Sequence, residues 1–434
     1  MEKKSLIEQQ GLGQIKIEDK KSWVDISLIW AGGLICVPAL MVGGFLTAGM
    51  GFKSSIIAMV LGYLIVVCYM IFIAMQAEDM SVPAVVTFEG AFGKNGSRFF
   101  ASVIILVCFT GWFAFQTAVC GIAFSSLLGM YGVNISGVAS MIIWGSVMFI
   151  SAVYGFRIMK WLNAISLPAM IAILVYAMFK ILSVPESVQK IIEFQPENPM
   201  PLIAGIGIVV GGFAAGSVLA GDITRYAINR KQTITAVIVG ILPAGIGTLI
   251  AGAVLALHAG SLGMDNTSLV NMLLSVGAPV LGLLVLILAT WTTNVSNAYT
   301  AGFALLNLTR MDDNKRSLCT VIVGVMGTLL AVFGVMAYFG GFLNILAAFI
   351  PPIAGVVIVD YWILKKGDVK NWYTMDGFNV PGFLSWIIGA GVAILFPTVL
   401  IPSINAIVVA GVSYMIIATL FIRKPVIAEV SNNE

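Results

Sequence analysis

Charge is what this sequence has least of. Asp, Glu, Lys and Arg make up 10% of the 434 residues against 59% hydrophobic, and there is a single histidine. Soluble domains carry about 25% charged residues, so a water-soluble enzyme or binding module is excluded and an integral membrane protein is indicated. The net charge of +3 is too small and too dispersed for a nucleic-acid partner. Cysteine is scarce too: Cys36, Cys68, Cys108, Cys120 and Cys319 are odd in number, lie in apolar segments and form no C-x-x-C. They read as small core residues, with neither a disulfide framework nor a zinc site. No motif pairs a nucleophile with a base, which argues against an enzyme.

Long apolar runs are what is there instead. The first 25 residues are polar and mixed in charge, and the run behind them continues past Gly43, as a first membrane span does and a cleaved signal peptide does not. A span takes about 20 apolar residues. Twelve segments qualify: 26–50, 54–76, 99–128, 134–154, 158–182, 200–221, 233–258, 272–308, 317–337, 341–364, 380–400 and 403–422. Twelve spans put both termini on one side, and basic residues favour the cytoplasm. With the termini inside, only Lys53, Lys180 and Lys190 of the 23 lysines and arginines fall outside. The expectation is an all-α polytopic protein of the plasma (inner) membrane, embedded in lipid, with no obligatory protein partner evident. Its layout is a cytoplasmic tail 1–25, a first half 26–182, an outer linker 183–199 containing Pro185, Pro196 and Pro199, a second half 200–364, a cytoplasmic loop 365–379, two last spans in 380–422 and a cytoplasmic tail 423–434.

Spans one and six share a peculiarity. Gly32-Gly33, Pro38 and Gly43-Gly44 interrupt the first; Gly205, Gly207, Gly211-Gly212, Gly216 and Gly221 interrupt the sixth. Paired broken spans at matching places in two halves point to an inverted-repeat transporter with its site at mid-membrane. The alternative is close helix packing through small residues. Inside span eight, the run from Ala289 to Tyr299 places polar side chains at membrane depth, where they must face a cavity or a partner. On a helix, Thr292 and Thr293 share a face with Ala289, and Asn294 and Asn297 share the adjoining one.

The missing membrane charges bear on the coupling ion. A proton carrier usually keeps an acid or histidine inside the membrane, whereas Asp222, Arg225 and Asp360 lie at inner helix ends and His258 at an outer one. Asp222 and Arg225, three residues apart, suit a surface ion pair or gate latch. Sodium needs only neutral oxygens: Thr292 and Thr293, the carbonyl of Ala289 and those of the broken stretch from Gly32 and Gly33 to Cys36 would form a cage. Both threonines also suit simple back-bonding within their own helix. A neutral, planar substrate fits the rest. Trp112 and Gln116 lie one turn apart in span three, and Phe213 follows Gly211-Gly212. Two aromatics can sandwich a ring while Gln116 and Asn294 read its amide edge.

These residues resemble the nucleobase:cation symport family of cytosine, purine, allantoin and hydantoin permeases. The likeness runs from about residue 25 to 370. It is carried by Thr110-Gly111-Trp112-Phe113, by Gly212-Phe213 with Gly221-Asp222 and Arg225-Tyr226, by Trp291-Thr292-Thr293-Asn294 with Asn297-Ala298-Tyr299, and by the stretch from Ile350 to Tyr361. The resemblance implies a LeuT-like inverted repeat of five plus five helices with two more. It implies that Trp112 and Phe213 stack on the base, that Asn294 hydrogen-bonds it, and that sodium sits between the carbonyls near Gly32 and Cys36 and the hydroxyls of Thr292 and Thr293. The chain looks most similar to bacterial cytosine permeases but departs from them twice. Phe109 stands where they carry glutamine, with Gln116 as in hydantoin and allantoin carriers, and Ala215 stands where they carry serine. Asn297 has three open roles: touching the ring, supporting Asn294, or pairing with another helix. The expected activity is sodium-coupled import of a neutral nucleobase or related heterocycle by alternating access, cytosine first. Purine, uracil, allantoin, hydantoin or a pyrimidine vitamin precursor with proton coupling is the alternative, and a passive channel the reading from another class.

Overall fold

The computed structural model describes residues 14–421 except 155, 261–270, 272–273, 276–278, 398 and 400. The whole of the expected C-terminal tail and the start of the N-terminal one, with Lys3, Lys4, Arg423 and Lys424, lie outside the described residues, as do the side chains of Arg157 and Lys160. Among the described residues there are helices and one isolated bridge, Lys21 to Ala227. Eight helices are long and apolar enough to cross a membrane, and a ninth crossing is a pair bent by 59°. Shorter apolar helices occupy the expected fourth, ninth and eleventh spans: Gly137–Val153, Arg316–Val332 and Val380–Leu395.

The bent pair is α1 (Trp23–Leu34) and α2 (Val37–Met50). Ser22 starts α1 with a capping box: its hydroxyl accepts from the Asp25 amide at 3.3 Å and its own amide donates to the Asp25 carboxylate at 3.2 Å, so two helix-end donors are satisfied. The break itself follows from Pro38, which has no amide to give the Leu34 carbonyl. The Cys36 amide takes that carbonyl instead, at 3.0 Å, with Cys36 extended at φ −144°, ψ 161°. The Gly32 carbonyl thereby loses the donor four residues on that a regular helix supplies.

The next helices are α3 (Phe52–Met80), α4 (Lys94–Gly129), α5 (Gly137–Val153) and α6 (Phe156–Leu182). The outer linker is no bare loop, because Pro185 opens a nine-residue helix, Pro185–Glu193, that buries Ile191, and proline suits the first helical turn. Then come α7 (Leu202–Val218), α8 (Arg230–Ala259), α9 (Pro279–Thr309) and α10 (Arg316–Val332).

Span six is not unwound at its glycines: α7 runs unbroken through Gly205, Gly207, Gly211, Gly212 and Gly216 and yields to a turn only at Leu219–Ala220, before the short helix Gly221–Thr224. The glycines are spent on contact instead. A Cβ at Gly211 would lie 2.1 Å from the Leu343 carbonyl oxygen, an approach open only to a residue without a side chain. Gly43 of α2 and Gly252 of α8 make the same kind of contact with Leu249 and Leu40, locking those two helices together.

The chain closes with α11 (Phe339–Phe349), α12 (Pro351–Ile358), α13 (Val380–Leu395) and α14 (Pro402–Phe421). After α12 the backbone widens into a π turn, Val359–Leu364. Its five-residue step brings Lys365 over Asp360 as a buried ion pair, Nζ to Oδ2 2.8 Å, and the Tyr414 hydroxyl donates to the other carboxylate oxygen at 2.9 Å. That cluster, and Arg230 paired with Asp79 at 2.7 Å, lie at the basic end of the bundle. Lys180 and Lys190 gather about His258, half-buried at the other end. Cys68 faces outward, not into the core.

Candidate functional site

The break between α1 and α2 opens onto a cavity of about 190 Å³. Gly33, Leu34, Cys36, Pro38, Ala39 and Val42 line it from span one, Tyr63 from α3, and Phe109, Trp112 and Gln116 from α4. Gly212, Phe213, Ala215 and Gly216 come from α7, Leu249 from α8, and Thr293 and Asn297 from α9. Clefts for drug-sized ligands run about 300–1,000 Å³, so this one suits a small guest. Trp112 is held edge-on by Phe342, centroids 5.4 Å apart, and by Phe339 at 6.0 Å. Phe213 rests on the edge of Trp30 at 6.0 Å. Neither ring packs its face on the other, and both border the cavity.

Behind Trp112 lies a carboxamide relay whose orientation is fixed by a backbone atom. The Phe113 carbonyl can only accept, so the nitrogen of Asn294 must face it, at 2.9 Å; the same nitrogen donates to Thr117 at 3.1 Å. The oxygen of Asn294 then faces the other way and accepts from Gln116 at 3.2 Å and from Asn297 at 3.1 Å. With its nitrogen so engaged, Gln116 presents Oε1 elsewhere, and that oxygen is buried without a partner. A buried orphan acceptor costs about 1–3 kcal/mol; here it belongs to a side chain in the cavity wall.

The sequence places Asn294 on the ring; here it is fully buried, lies outside the cavity lining and bonds Gln116 and Asn297 from behind. Asn297 bonds Asn294, one of its three expected jobs, and also lines the cavity.

On the other side of α9, the hydroxyls of Thr292 and Thr293 both donate to the Ala289 carbonyl at 2.9 Å. This is the back-bonding the sequence allows, and it is compatible with ion binding, because it uses each proton and leaves oxygen lone pairs free. Ser166 of α6 donates to Thr292 at 3.2 Å. Thr293, Gly33 and Cys36 line the cavity, whereas Gly32, Ala289 and Thr292 stand outside its lining. The Cys36 carbonyl is held only by a long 3.4 Å bond from Leu40. These are hard, neutral oxygens of the kind an alkali cation takes. Among the described residues no three His, Cys, Asp or Glu come together as a metal site.

Tyr63, Thr117 and Ser166 were missed by the sequence reading. Tyr63 is an isolated polar residue in an apolar stretch, Thr117 follows Gln116 directly and Ser166 stands one turn after Asn163; helical spacing alone does not aim any of them at the site. A second cavity of about 830 Å³ opens beyond Leu219 at the basic end, lined by Arg98, Asp222, Arg225, Asn307 and Arg310 among others. There Asp222 accepts from the Ala84 amide at 3.0 Å, tying the end of span six to the connection after span two.

A model of the family described as permease for cytosine/purines, uracil, thiamine, allantoin matches residues 16–417. The cytosine permease of Escherichia coli (strain K12) is 24% identical over 414 residues, covering 95% of this chain and 94% of its own. The hydantoin permease of Microbacterium maritypicum is 25% identical, covering 80% of this chain and 73% of its own. Among solved structures, the inward-facing conformation of Mhp1 superposes with a TM-score of 0.81 at 20% identity, covering 96% of both chains; that likeness speaks for the fold.

Proposed function

The chain belongs to this family of permeases for cytosine/purines, uracil, thiamine and allantoin, and from that premise we propose that it imports a neutral nucleobase or related planar heterocycle together with sodium, cytosine first among candidates. The observation that carries the reading is a small cavity flanked by Trp112 and Phe213 whose wall contains Gln116, a side chain with an unpartnered Oε1. A ring N–H satisfies that oxygen, and the aromatic faces take the ring at about 1–3 kcal/mol per stacked base. Among the described residues of the cavity wall there is neither Arg nor Lys, Asp nor Glu, so a charged guest would sit unpaired there and is disfavoured.

Sodium fits the oxygens of Ala289, Thr292 and Thr293 together with the carbonyls at the break of span one. Ion and ring then share two elements, span one and α9. Each stabilises the arrangement the other needs, which is how one gradient drives the other. The larger cavity at the basic end supports an inward-facing state, with the termini in the cytoplasm and the chain in the plasma membrane. Gly32, Cys36 and the α9 oxygens form the ion side; Trp112, Gln116, Phe213, Ala215 and Asn297 form the ring side, with Asn294 as positioning residue.

Purified protein in liposomes tests this directly. Labelled cytosine should accumulate under an inward sodium gradient and exchange against preloaded base, and Trp112→Ala should abolish both. Uptake driven by a pH gradient without sodium would overturn the ion, and flux without exchange would make the protein a channel.

A further inference from the structure

Tyr63 is the polar wall residue that the functional reading leaves without a task. It stands on α3, is 3% exposed, and lines the cavity. Its phenol is a packed element: the ring lies tilted by 42° against Phe213 at 6.3 Å, and the hydroxyl beds against Gly245 of α8, where a Cβ would come within 2.8 Å of it. Gly245 is thus a slot cut to let the hydroxyl through. A buried tyrosine hydroxyl usually finds a partner, yet no described residue bonds this one. The other hydroxyl in the wall, that of Thr293, is turned to the Ala289 carbonyl. The cavity wall therefore contains two side chains on different helices with unspent polar atoms: an acceptor, Gln116 Oε1, and a hydroxyl, Tyr63 OH.

We propose that the Tyr63 hydroxyl donates to a carbonyl oxygen of the transported ring, making Tyr63 a specificity residue that selects oxo-heterocycles. Gln116 takes a ring N–H and Tyr63 an oxygen of the same guest, and a ring carrying both satisfies both groups at once. Rings without a carbonyl leave the phenol unpaired and are bound less tightly. The proposal rests on the reading of this cavity as the ring site.

Tyr63→Phe removes only the hydroxyl and keeps the ring against Phe213. Cytosine is titrated calorimetrically in saturating sodium beside 4-aminopyrimidine, in which the carbonyl between the two ring nitrogens is replaced by C–H and the neighbouring ring N–H is lost with it. Wild-type protein should prefer the oxo ring by about tenfold or more, the scale of one buried hydrogen bond. Tyr63→Phe should cut that preference by about tenfold by weakening the oxo ring alone, leaving the share that belongs to the ring N–H. An unchanged preference in Tyr63→Phe, or an equal loss for both rings of a pair, overturns the role of Tyr63 while leaving the ring site standing. No binding of any ring to wild-type protein overturns the ring site and this proposal with it.

Discussion

Two glycine-rich spans face each other across the cavity, and they serve it in opposite ways. Span one breaks at Ile35–Cys36 and offers backbone carbonyls. Span six, with more glycine, stays helical from Leu202 to Val218 and offers a side chain, Phe213. The difference lies in proline, not glycine. Pro38 removes the amide that would have closed the helix over Leu34, whereas each glycine of α7 keeps its own amide and donates along the helix. Glycine in α7 buys proximity: at Gly211 the α11 backbone arrives where any side chain would stand. On the proposed reading the contrast has a use: an ion takes bare carbonyls, which the broken span offers, and a flat ring takes a fixed aromatic face, which the whole one offers.

The comparison breaks most severely at Gly211. Gly211→Ala should lower stability by about 1–3 kcal/mol, the range for overpacking a tight contact, seen as a drop in the melting temperature of detergent-purified protein; an unchanged melt would mean that α7 and α11 do not meet as closely as 2.1 Å implies. Phe213→Ala separates the two roles. Base affinity should fall by about 1–3 kcal/mol for a lost stacking face, while sodium binding measured without base stays as it is; a parallel loss of both would put span six on the ion as well.

Pro38→Ala is the converse change. It restores an amide within reach of Leu34, tightens the break and should weaken sodium about tenfold, about 1.4 kcal/mol, in a sodium titration followed by tryptophan fluorescence; undiminished affinity would detach the carbonyls from the ion. Gly207→Ala is the mildest. Nothing lies within 4 Å of the added carbon, so the helix should gain up to about 1 kcal/mol in the same melt, and a loss would show that α7 must bend there during transport.

Much of this was legible from residue order alone. Span positions follow from apolar length, and Trp112, Gln116, Phe213, Thr293 and Asn297 come to one cavity as their helical spacing suggested. The glycines of span six were ambiguous because unwinding and close packing leave the same mark in sequence; only the facing helix decides. Asn294 lies outside the cavity lining for a related reason. Helical spacing puts it on one face with Asn297, but which of two neighbours touches the guest depends on rotation toward α4, and there the Phe113 carbonyl and Thr117 were waiting for its nitrogen. The Asp360–Lys365 pair was hidden because its five-residue step belongs to a π turn.

The central claim is that sodium and a flat heterocycle bind to one shared arrangement of span one and α9. Calorimetric titration of cytosine into the purified protein, at fixed pH and ionic strength with sodium exchanged for choline, tests it most directly. Base affinity should rise with sodium, and sodium affinity should rise by the same factor when base is present. Base affinity that does not change between zero and saturating sodium would contradict it.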